Sequence, residues 1–141
     1  MSIQAILAPL FVQVALTLGL LLWLAVLRQR DFSNGAVKLS EVALRQPNWP
    51  DRTQQVAYAF SNQFELPVLF YVLTILAIAT RHADWLFVVM AWIFVLTRIF
   101  HALEHTTTNV VKRRGAWYAI GAIILIAMWV IFILRIMLAL P

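Results

Sequence analysis

The sequence contains no cysteine and very little charge. Among its 141 residues, 12% are charged and only six are acidic, whereas 63% are hydrophobic. The absence of cysteine excludes disulfide bonds, a protein thiolate as nucleophile and metal sites with cysteine ligands. A soluble domain would carry about twice this charged fraction. The composition therefore excludes an ordinary soluble domain and predicts an integral membrane protein.

Four apolar segments are long enough to cross about 30 Å of hydrocarbon as α-helices, which rise about 1.5 Å per residue. They occupy residues 3–27, 56–79, 85–109 and 116–140, and the third ends in a polar extension. Their hydrophobic runs are continuous rather than alternating, which disfavours membrane strands. We therefore predict an all-α membrane protein, a single domain of four transmembrane helices.

Most of the basic residues lie in two of the connecting loops. Eight of the eleven are found there: Arg28, Arg30, Lys38, Arg45 and Arg52 in the first loop (residues 28–55), and Lys112, Arg113 and Arg114 in the third. Since basic loops of membrane proteins remain in the cytoplasm, we expect both loops on that side and both termini outside. The net charge of +5 is thus explained by the orientation of the loops in the membrane and by contacts with membrane lipid headgroups. We therefore predict no nucleic-acid partner.

Polar residues recur at helical spacing inside two of these segments. Gln54, Tyr58, Asn62 and Glu65 share one face of the second predicted helix, and Arg98, His101, His105 and Asn109 share one face of the third. Burying such groups in hydrocarbon is costly unless they are paired or hydrated. Counted along each helix from its entry, Glu65 and Arg98 reach the same level. The two stripes therefore predict one polar track that opens on the cytoplasmic side.

Two interpretations of the stripes stay open from the residues alone. Polar side chains in membrane helices hold neighbouring helices together, and they also form ligand sites. His101 and His105 have the spacing of a metal-binding pair, but a third ligand would have to come from Glu104 or Glu65, and no H-E-x-x-H order is present. We therefore predict no metal. Pro67, two residues after Glu65, predicts a kink in the second helix.

At these residues the chain resembles a known family. The run Asn62-Gln63-Phe64-Glu65-Leu66-Pro67 resembles the N-x-x-E motif, with a following proline, of the MAPEG family, the membrane-associated proteins in eicosanoid and glutathione metabolism. The run Arg98-Ile99-Phe100-His101 is similar to the R-I-Y-H stretch of microsomal glutathione transferases, and Arg114 follows Arg98 by sixteen residues. The spacing of His101, His105, Asn109 and Arg114 is also similar to bacterial members, which implies location in the bacterial inner membrane.

The resemblance implies a homotrimer of four-helix subunits that binds glutathione between neighbouring subunits near the cytoplasmic face. It implies an arginine that stabilises the glutathione thiolate, at the position of Arg114, and it makes His105 a candidate donor or base. The candidate glutathione-binding residues are Asn62, Glu65, Arg98, His101, Asn109, Arg28, Arg30 and Tyr58. Among these, Arg98 and His101 suit a carboxylate, and Glu65 suits the ammonium group.

Two positions depart from the pattern of the enzymatic members. Tyr58 stands where they typically carry an arginine, and His105 stands where they often carry a tyrosine. A phenol cannot form the two-pronged contact that a guanidinium makes with a carboxylate. The leading prediction is a glutathione- or thiol-dependent transferase or peroxidase that acts on small lipophilic electrophiles. The alternatives are a MAPEG-fold protein with another ligand or without catalytic activity, and then a small proton-coupled exporter.

Overall fold

The structure is a computed structural model that describes residues 1–44 and 48–139. Its five α-helices are α1 (Ile3–Ser33), α2 (Asp51–Ser61), α3 (Leu66–Ala79), α4 (Trp85–Thr106) and α5 (Val111–Met137). Four helical stretches, with α2 and α3 counted as one, are long and apolar enough to cross a membrane. The predicted class, an all-α protein with four membrane-spanning helices, is confirmed.

The second span is interrupted between α2 and α3. α2 ends at Ser61, a 3₁₀ turn covers Asn62–Phe64, and α3 begins at Leu66. Pro67 lies in the first turn of α3, where its missing N–H leaves no helical hydrogen bond unmade. The sequence predicted a kink at Pro67, whereas the structure ends one helix and starts another. Glu65 therefore lies at the interruption, just before α3, rather than on a continuous helical face.

α4 is the most buried of the spans. In an apolar stretch of 18 residues in α4, 44% of the residues are buried, whereas the corresponding share is 17% in α1 and in α5. It packs against α1, α2 and α5, and its buried residues include both apolar side chains such as Phe94 and the polar stripe that contains Arg98. Because α4 has neighbours on several sides, the polar residues of its stripe lie inside the protein.

α4 and α5 approach each other closely at Gly121. A β-carbon added to Gly121 would lie 2.6 Å from Oγ1 of Thr97 and 3.8 Å from Cδ of Arg98. The first distance is shorter than any normal contact, so the helices reach this separation only because position 121 has no side chain. Small residues allow membrane helices to pack through close van der Waals contact. This approach brings α5 directly against the residues around Arg98.

Side chains tie α1, α2 and α4 together at the end of the bundle that carries the first and third loops, which we call the basic end. Oγ1 of Thr53 donates a hydrogen bond to Oδ2 of Asp31 at 2.5 Å. The guanidinium of Arg52 donates to the Thr106 carbonyl oxygen and stacks over the Trp23 ring at 4.8 Å. These contacts fix where α2 enters the bundle, and so fix the depth of the interruption that follows it.

An ion pair joins α4 and α5 at the opposite end. Nη2 of Arg135 lies 2.8 Å from Oδ2 of Asp84. The other oxygen of Asp84 accepts a hydrogen bond from the Phe87 N–H at 2.9 Å and caps α4. Partial burial raises the pKa of the Asp84 carboxyl, but the hydrogen bonds from Arg135 and Phe87 outweigh it, and the pKa lies below its ordinary value.

The observed helix ends differ from the predicted ones. α1 continues past residue 27 to Ser33, and α5 starts at Val111 rather than at residue 116. Apolar runs mark only the part of a helix that spans hydrocarbon, so polar turns beyond it were left out. α4 ends at Thr106 rather than at residue 109, for a reason given with Asn109 below. The predicted end of the last helix, residue 140, lies outside the described residues.

Candidate functional site

Arg98 is the centre of the polar track. Its side chain is fully buried, and Nη2 donates a hydrogen bond to the Asn62 carbonyl oxygen at 3.3 Å. The same carbonyl oxygen accepts a long hydrogen bond of 3.4 Å from the Glu65 N–H in the 3₁₀ turn, so Arg98 binds the backbone at the interruption of the second span. The Nε and Nη1 atoms of Arg98 are buried and have no hydrogen-bond partner among the described residues. A buried guanidinium with unpartnered N–H groups is costly without an anion or polar ligand.

Tyr118 lies between Arg98 and Glu65. Its hydroxyl donates a hydrogen bond to Oε2 of Glu65 at 3.0 Å, and its ring centroid lies 5.4 Å from Cζ of Arg98. Within the described ranges the one ion pair closer than 4.0 Å is that of Arg135 with Asp84, so Glu65 and Arg98 share a level through Tyr118 rather than by direct pairing. The sequence interpretation missed Tyr118. Its spacing of four from Arg114 and three from Gly121 marks the same face of α5 and was the available signal.

His101 and His105 continue the track toward the basic end. Nδ1 of His101 lies 3.0 Å from the Arg114 carbonyl oxygen, and because a carbonyl only accepts, this nitrogen carries the hydrogen. Nε2 of His101 and Nδ1 of His105 are buried and make no hydrogen bond to any described residue. The ring centroids of the two histidines lie 5.8 Å apart, and the ring of His101 lies 5.7 Å from that of Tyr118.

Asn109 lies outside the helical stripe in which the sequence placed it. α4 ends at Thr106: Thr107 leaves the helical conformation, with φ -115° and ψ -96°, and the Asn109 N–H donates to the Glu104 carbonyl oxygen at 2.7 Å. Asn109 then adopts a positive φ of 50°, a conformation that asparagine tolerates better than most residues. Its Oδ1 accepts a hydrogen bond from Nη1 of Arg114 at 2.6 Å. Asn109 therefore shapes the turn between α4 and α5 and orients the Arg114 side chain.

A separate cavity of about 450 Å³ adjoins the track on the side of α1 and α2. Tyr58 and Arg28 both line it, and Cζ of Arg28 lies 5.0 Å from the centroid of the Trp49 ring. The Tyr58 ring lies 6.5 Å from that of His105, so Tyr58 borders both the cavity and the track. Arg30 is exposed near the end of α1, where its carbonyl accepts from the Asn34 N–H.

The structure thus brings together most of the predicted site residues. We call the following group the Arg98 cluster: Asn62, Glu65, Arg98, His101, His105 and Tyr118. Tyr58 touches its edge, and Arg114 contributes its backbone carbonyl. In the described parts of the chain, no hydrogen bond or ring contact joins Arg28 or Arg30 to this cluster. No group of three or more His, Asp or Glu side chains among the described residues is arranged to hold a metal ion.

A second buried polar contact was not anticipated. Nε2 of Gln13 donates to Oε1 of Gln63 at 2.8 Å, and Nε2 of Gln63 donates in turn to the Ala59 carbonyl at 3.0 Å. Both glutamines are almost fully buried. Gln63 lies in the 3₁₀ turn beside Asn62, so the pair ties α1 to the interruption. This contact is interhelical packing of the kind that polar residues provide in membranes.

Comparison with protein families gives one finding. The MAPEG family model matches residues 6–134 of the 141-residue chain. The match covers most of the first and last spans, all of the two between them and every member of the Arg98 cluster. Comparison with the curated proteins and with the solved structures found no match.

Proposed function

The chain belongs to the MAPEG family, and on that premise we propose that it is a glutathione- or thiol-dependent membrane enzyme. It joins the sulfur of the thiol to small lipophilic electrophiles, or it uses the thiol to reduce lipophilic hydroperoxides. The observation that carries the proposal is the buried Arg98 guanidinium, two of whose nitrogen atoms have no partner among the described residues. Such a group stays charged and requires an anionic or strongly polar ligand.

The chemistry of glutathione suits the Arg98 cluster. Glutathione carries two carboxylates, one ammonium and one thiol. Arg98 offers N–H groups in the planar arrangement that binds a carboxylate, and the Glu65 carboxylate suits the ammonium. Glu65 is exposed in a single chain, so its second oxygen remains available while Tyr118 holds the first. Asn62 supplies a side-chain amide that serves either group.

Arg114 is the proposed thiolate-stabilising residue. It lies in the first turn of α5, at the basic end of the track, where its hydrogen bond to Asn109 orients the guanidinium. A guanidinium beside a thiol favours the thiolate, which is the reactive nucleophile. Lowering the thiol pKa by about two units requires roughly 2.7 kcal/mol of differential stabilisation.

The proposed assembly is a homotrimer in the bacterial inner membrane, with the basic end facing the cytoplasm. Glu65 supports the trimer because its carboxylate is exposed at the level of the buried Arg98, where a single chain would leave it facing hydrocarbon. A neighbouring subunit would cover this position. Glutathione then arrives from the cytoplasm, and the lipophilic substrate arrives from the membrane lipids.

A member of the family with another ligand is the second candidate, and Tyr58 favours it. Tyr58 faces His105 rather than supplying a guanidinium, so the track has one fewer group for a carboxylate than the enzymatic pattern implies. Thiolate absorbance separates the two candidates. Mixing purified protein with glutathione should produce a saturable ultraviolet thiolate band, and S-methylglutathione, which has no thiol, should compete without producing one. Absence of the band at saturating glutathione would favour the second candidate.

A further inference from the structure

Four proton-carrying rings follow one another through the site. The ring centroids are separated by 5.7 Å from Tyr118 to His101, by 5.8 Å from His101 to His105, and by 6.5 Å from His105 to Tyr58. Tyr118 is hydrogen-bonded to Glu65 at the inner end of this series. The four rings come from three helices, α2, α4 and α5, so the arrangement is a property of the folded protein and not of one segment.

Both histidines in the series have one ring nitrogen without a hydrogen-bond partner among the described residues. Nε2 of His101 and Nδ1 of His105 are buried and without a hydrogen bond among the described residues. The Arg114 carbonyl holds the opposite nitrogen of His101 as a donor, which leaves Nε2 as an acceptor in the neutral ring. Imidazole exchanges protons readily near neutral pH. No direct hydrogen bond joins neighbouring rings of the series among the described residues, and ring separations of 5.7 to 6.5 Å leave room for one bridging water between them.

The two ends of the series have different surroundings. The inner end lies beside the buried Arg98. The outer end is Tyr58, which is half exposed and lines the cavity of about 450 Å³ together with Gln54 and Ser61. A proton that reaches the Tyr58 hydroxyl is therefore in contact with a polar space outside the cluster.

We propose that His101, His105 and Tyr58 form a proton path from the Arg98 cluster to the cavity beside Arg28. The inference rests on the proposed function, because the proton it carries is that of the bound thiol. The S–H bond breaks, the electron pair stays on sulfur, and Nε2 of His101 takes the proton. Because Nδ1 stays bonded to the Arg114 carbonyl, Nε2 also releases the proton, which passes through a bridging water to His105. His105 accepts it on one ring nitrogen and releases a proton from the other to Tyr58, whose hydroxyl passes one on to water in the cavity.

Electrostatics favours passage of the proton over its retention. The charged residues that act on His101 are Arg98 and Arg114, and Arg114 also acts on His105. The ring of Tyr118 lies beside His101, and the ring of Tyr58 lies beside His105. Arg98 and Arg114 disfavour a lasting positive charge on His101, and Arg114 disfavours one on His105, while the Glu65 carboxylate is bonded to Tyr118. The proton is therefore driven outward as the thiolate forms beside the guanidinium groups.

The test measures how fast the thiolate band appears when glutathione is mixed rapidly with the full-length protein in detergent. His105→Gln should slow the appearance at least tenfold, and Tyr58→Phe severalfold. At glutathione concentrations that saturate each variant, the final amplitude should stay within about twofold of that of the unchanged protein, because a proton path changes the rate of ionisation and not its equilibrium. Added imidazole should restore the rate of His105→Gln, because a diffusible base replaces the missing one. His82→Gln, at the opposite end of the bundle, is the matched control and should leave the rate unchanged.

The outcomes separate this inference from the proposed function. A full thiolate band that appears at the same rate in Tyr58→Phe, His105→Gln and the unchanged protein would overturn the proton path alone. No band in the unchanged protein would overturn the proposed function and the path with it. If His105→Gln fails to fold, Tyr58→Phe tests the proton path alone, because it removes only the hydroxyl of a half-exposed side chain.

Discussion

The hydroxyl of Tyr118 donates a hydrogen bond to the carboxylate of Glu65 at 3.0 Å. This contact joins α5 to the interruption of the second span and places the Tyr118 ring against the buried Arg98 guanidinium. An acid, a phenol and a cation thus meet at one level of the bundle. Arg98 also bonds to the Asn62 carbonyl, so a change at any of these positions is expected to affect the others.

The close approach of α4 and α5 predicts a strong effect of one added methyl group. Gly121→Ala should lower stability by about 1–3 kcal/mol, because its β-carbon would overlap Oγ1 of Thr97. Thermal unfolding in detergent measures the change. Gly115→Ala is the control in the same helix, since a β-carbon there meets nothing within 4 Å. Adding Thr97→Ala to Gly121→Ala should recover much of the loss, and equal effects at both glycines would contradict the packing described.

Arg114 is predicted to act on the thiolate and not only on the loop. Arg114→Ala should reduce turnover by one to two orders of magnitude, about 1.4 to 2.7 kcal/mol in activation free energy, while glutathione affinity and folding are largely kept. The backbone carbonyl that holds His101 is unaffected by the substitution. Steady-state kinetics with a lipophilic electrophile provides the measurement, and Arg113→Ala, which changes the neighbouring exposed cation, should have little effect.

Asn109→Ala distinguishes the two roles of Arg114. If Arg114 only holds the turn through its bond to Asn109, the two alanine variants should lose the same activity and the same stability. The catalytic assignment predicts instead that Asn109→Ala loses less turnover than Arg114→Ala, because the guanidinium remains and loses only the bond that orients it. Small and equal losses of turnover in Lys112→Ala, Arg113→Ala and Arg114→Ala would contradict the assignment of Arg114 as the thiolate-stabilising residue.

The sequence predicted those features that depend on one helix at a time. The four spans follow from apolar length, and the burial of Arg98, His101 and His105 side by side follows from their spacing on α4. The contact between Glu65 and Tyr118 was not predictable in this way, because it depends on how α5 is rotated against α3. The Gln13–Gln63 bond also depends on two helices and was missed for the same reason.

Asn109 shows where a periodic pattern misleads. It continues the spacing of His101 and His105, yet the helix ends at Thr106 and the backbone turns at Thr107, so Asn109 lies beyond the last helical residue. Periodicity reports which residues would share a face if the helix continued, and does not report where the helix stops.

The distribution of basic residues predicts that the basic end faces the cytoplasm. The chain has no native cysteine, so single cysteines report location cleanly. Ser33→Cys, at the exposed end of α1, should resist a membrane-impermeant thiol reagent in intact cells and react after lysis. Thr80→Cys, exposed at the opposite end, should react in intact cells. The reverse pattern would place the proposed site outside the cytoplasm.

The exposed Glu65 carboxylate predicts a neighbouring subunit, and the proposed homotrimer sets the number of chains at three. Native mass spectrometry of the protein in detergent should give a mass close to three times 16.1 kDa, because a neighbouring subunit would shelter this group from hydrocarbon. Cross-linking in the intact membrane should give the same number of chains. A monomer that still binds glutathione would contradict a site shared between subunits.

Calorimetric titration of glutathione into the purified protein and its Glu65→Gln variant tests the central claim most directly. The unchanged protein should bind glutathione saturably, and Glu65→Gln should weaken the affinity at least tenfold because the ammonium loses its carboxylate. Glu41→Gln removes the same charge from an exposed loop position and should leave the affinity unchanged. Binding that is equal in all three proteins, or no binding by the unchanged protein, would contradict the assignment of the Arg98 cluster as a glutathione site.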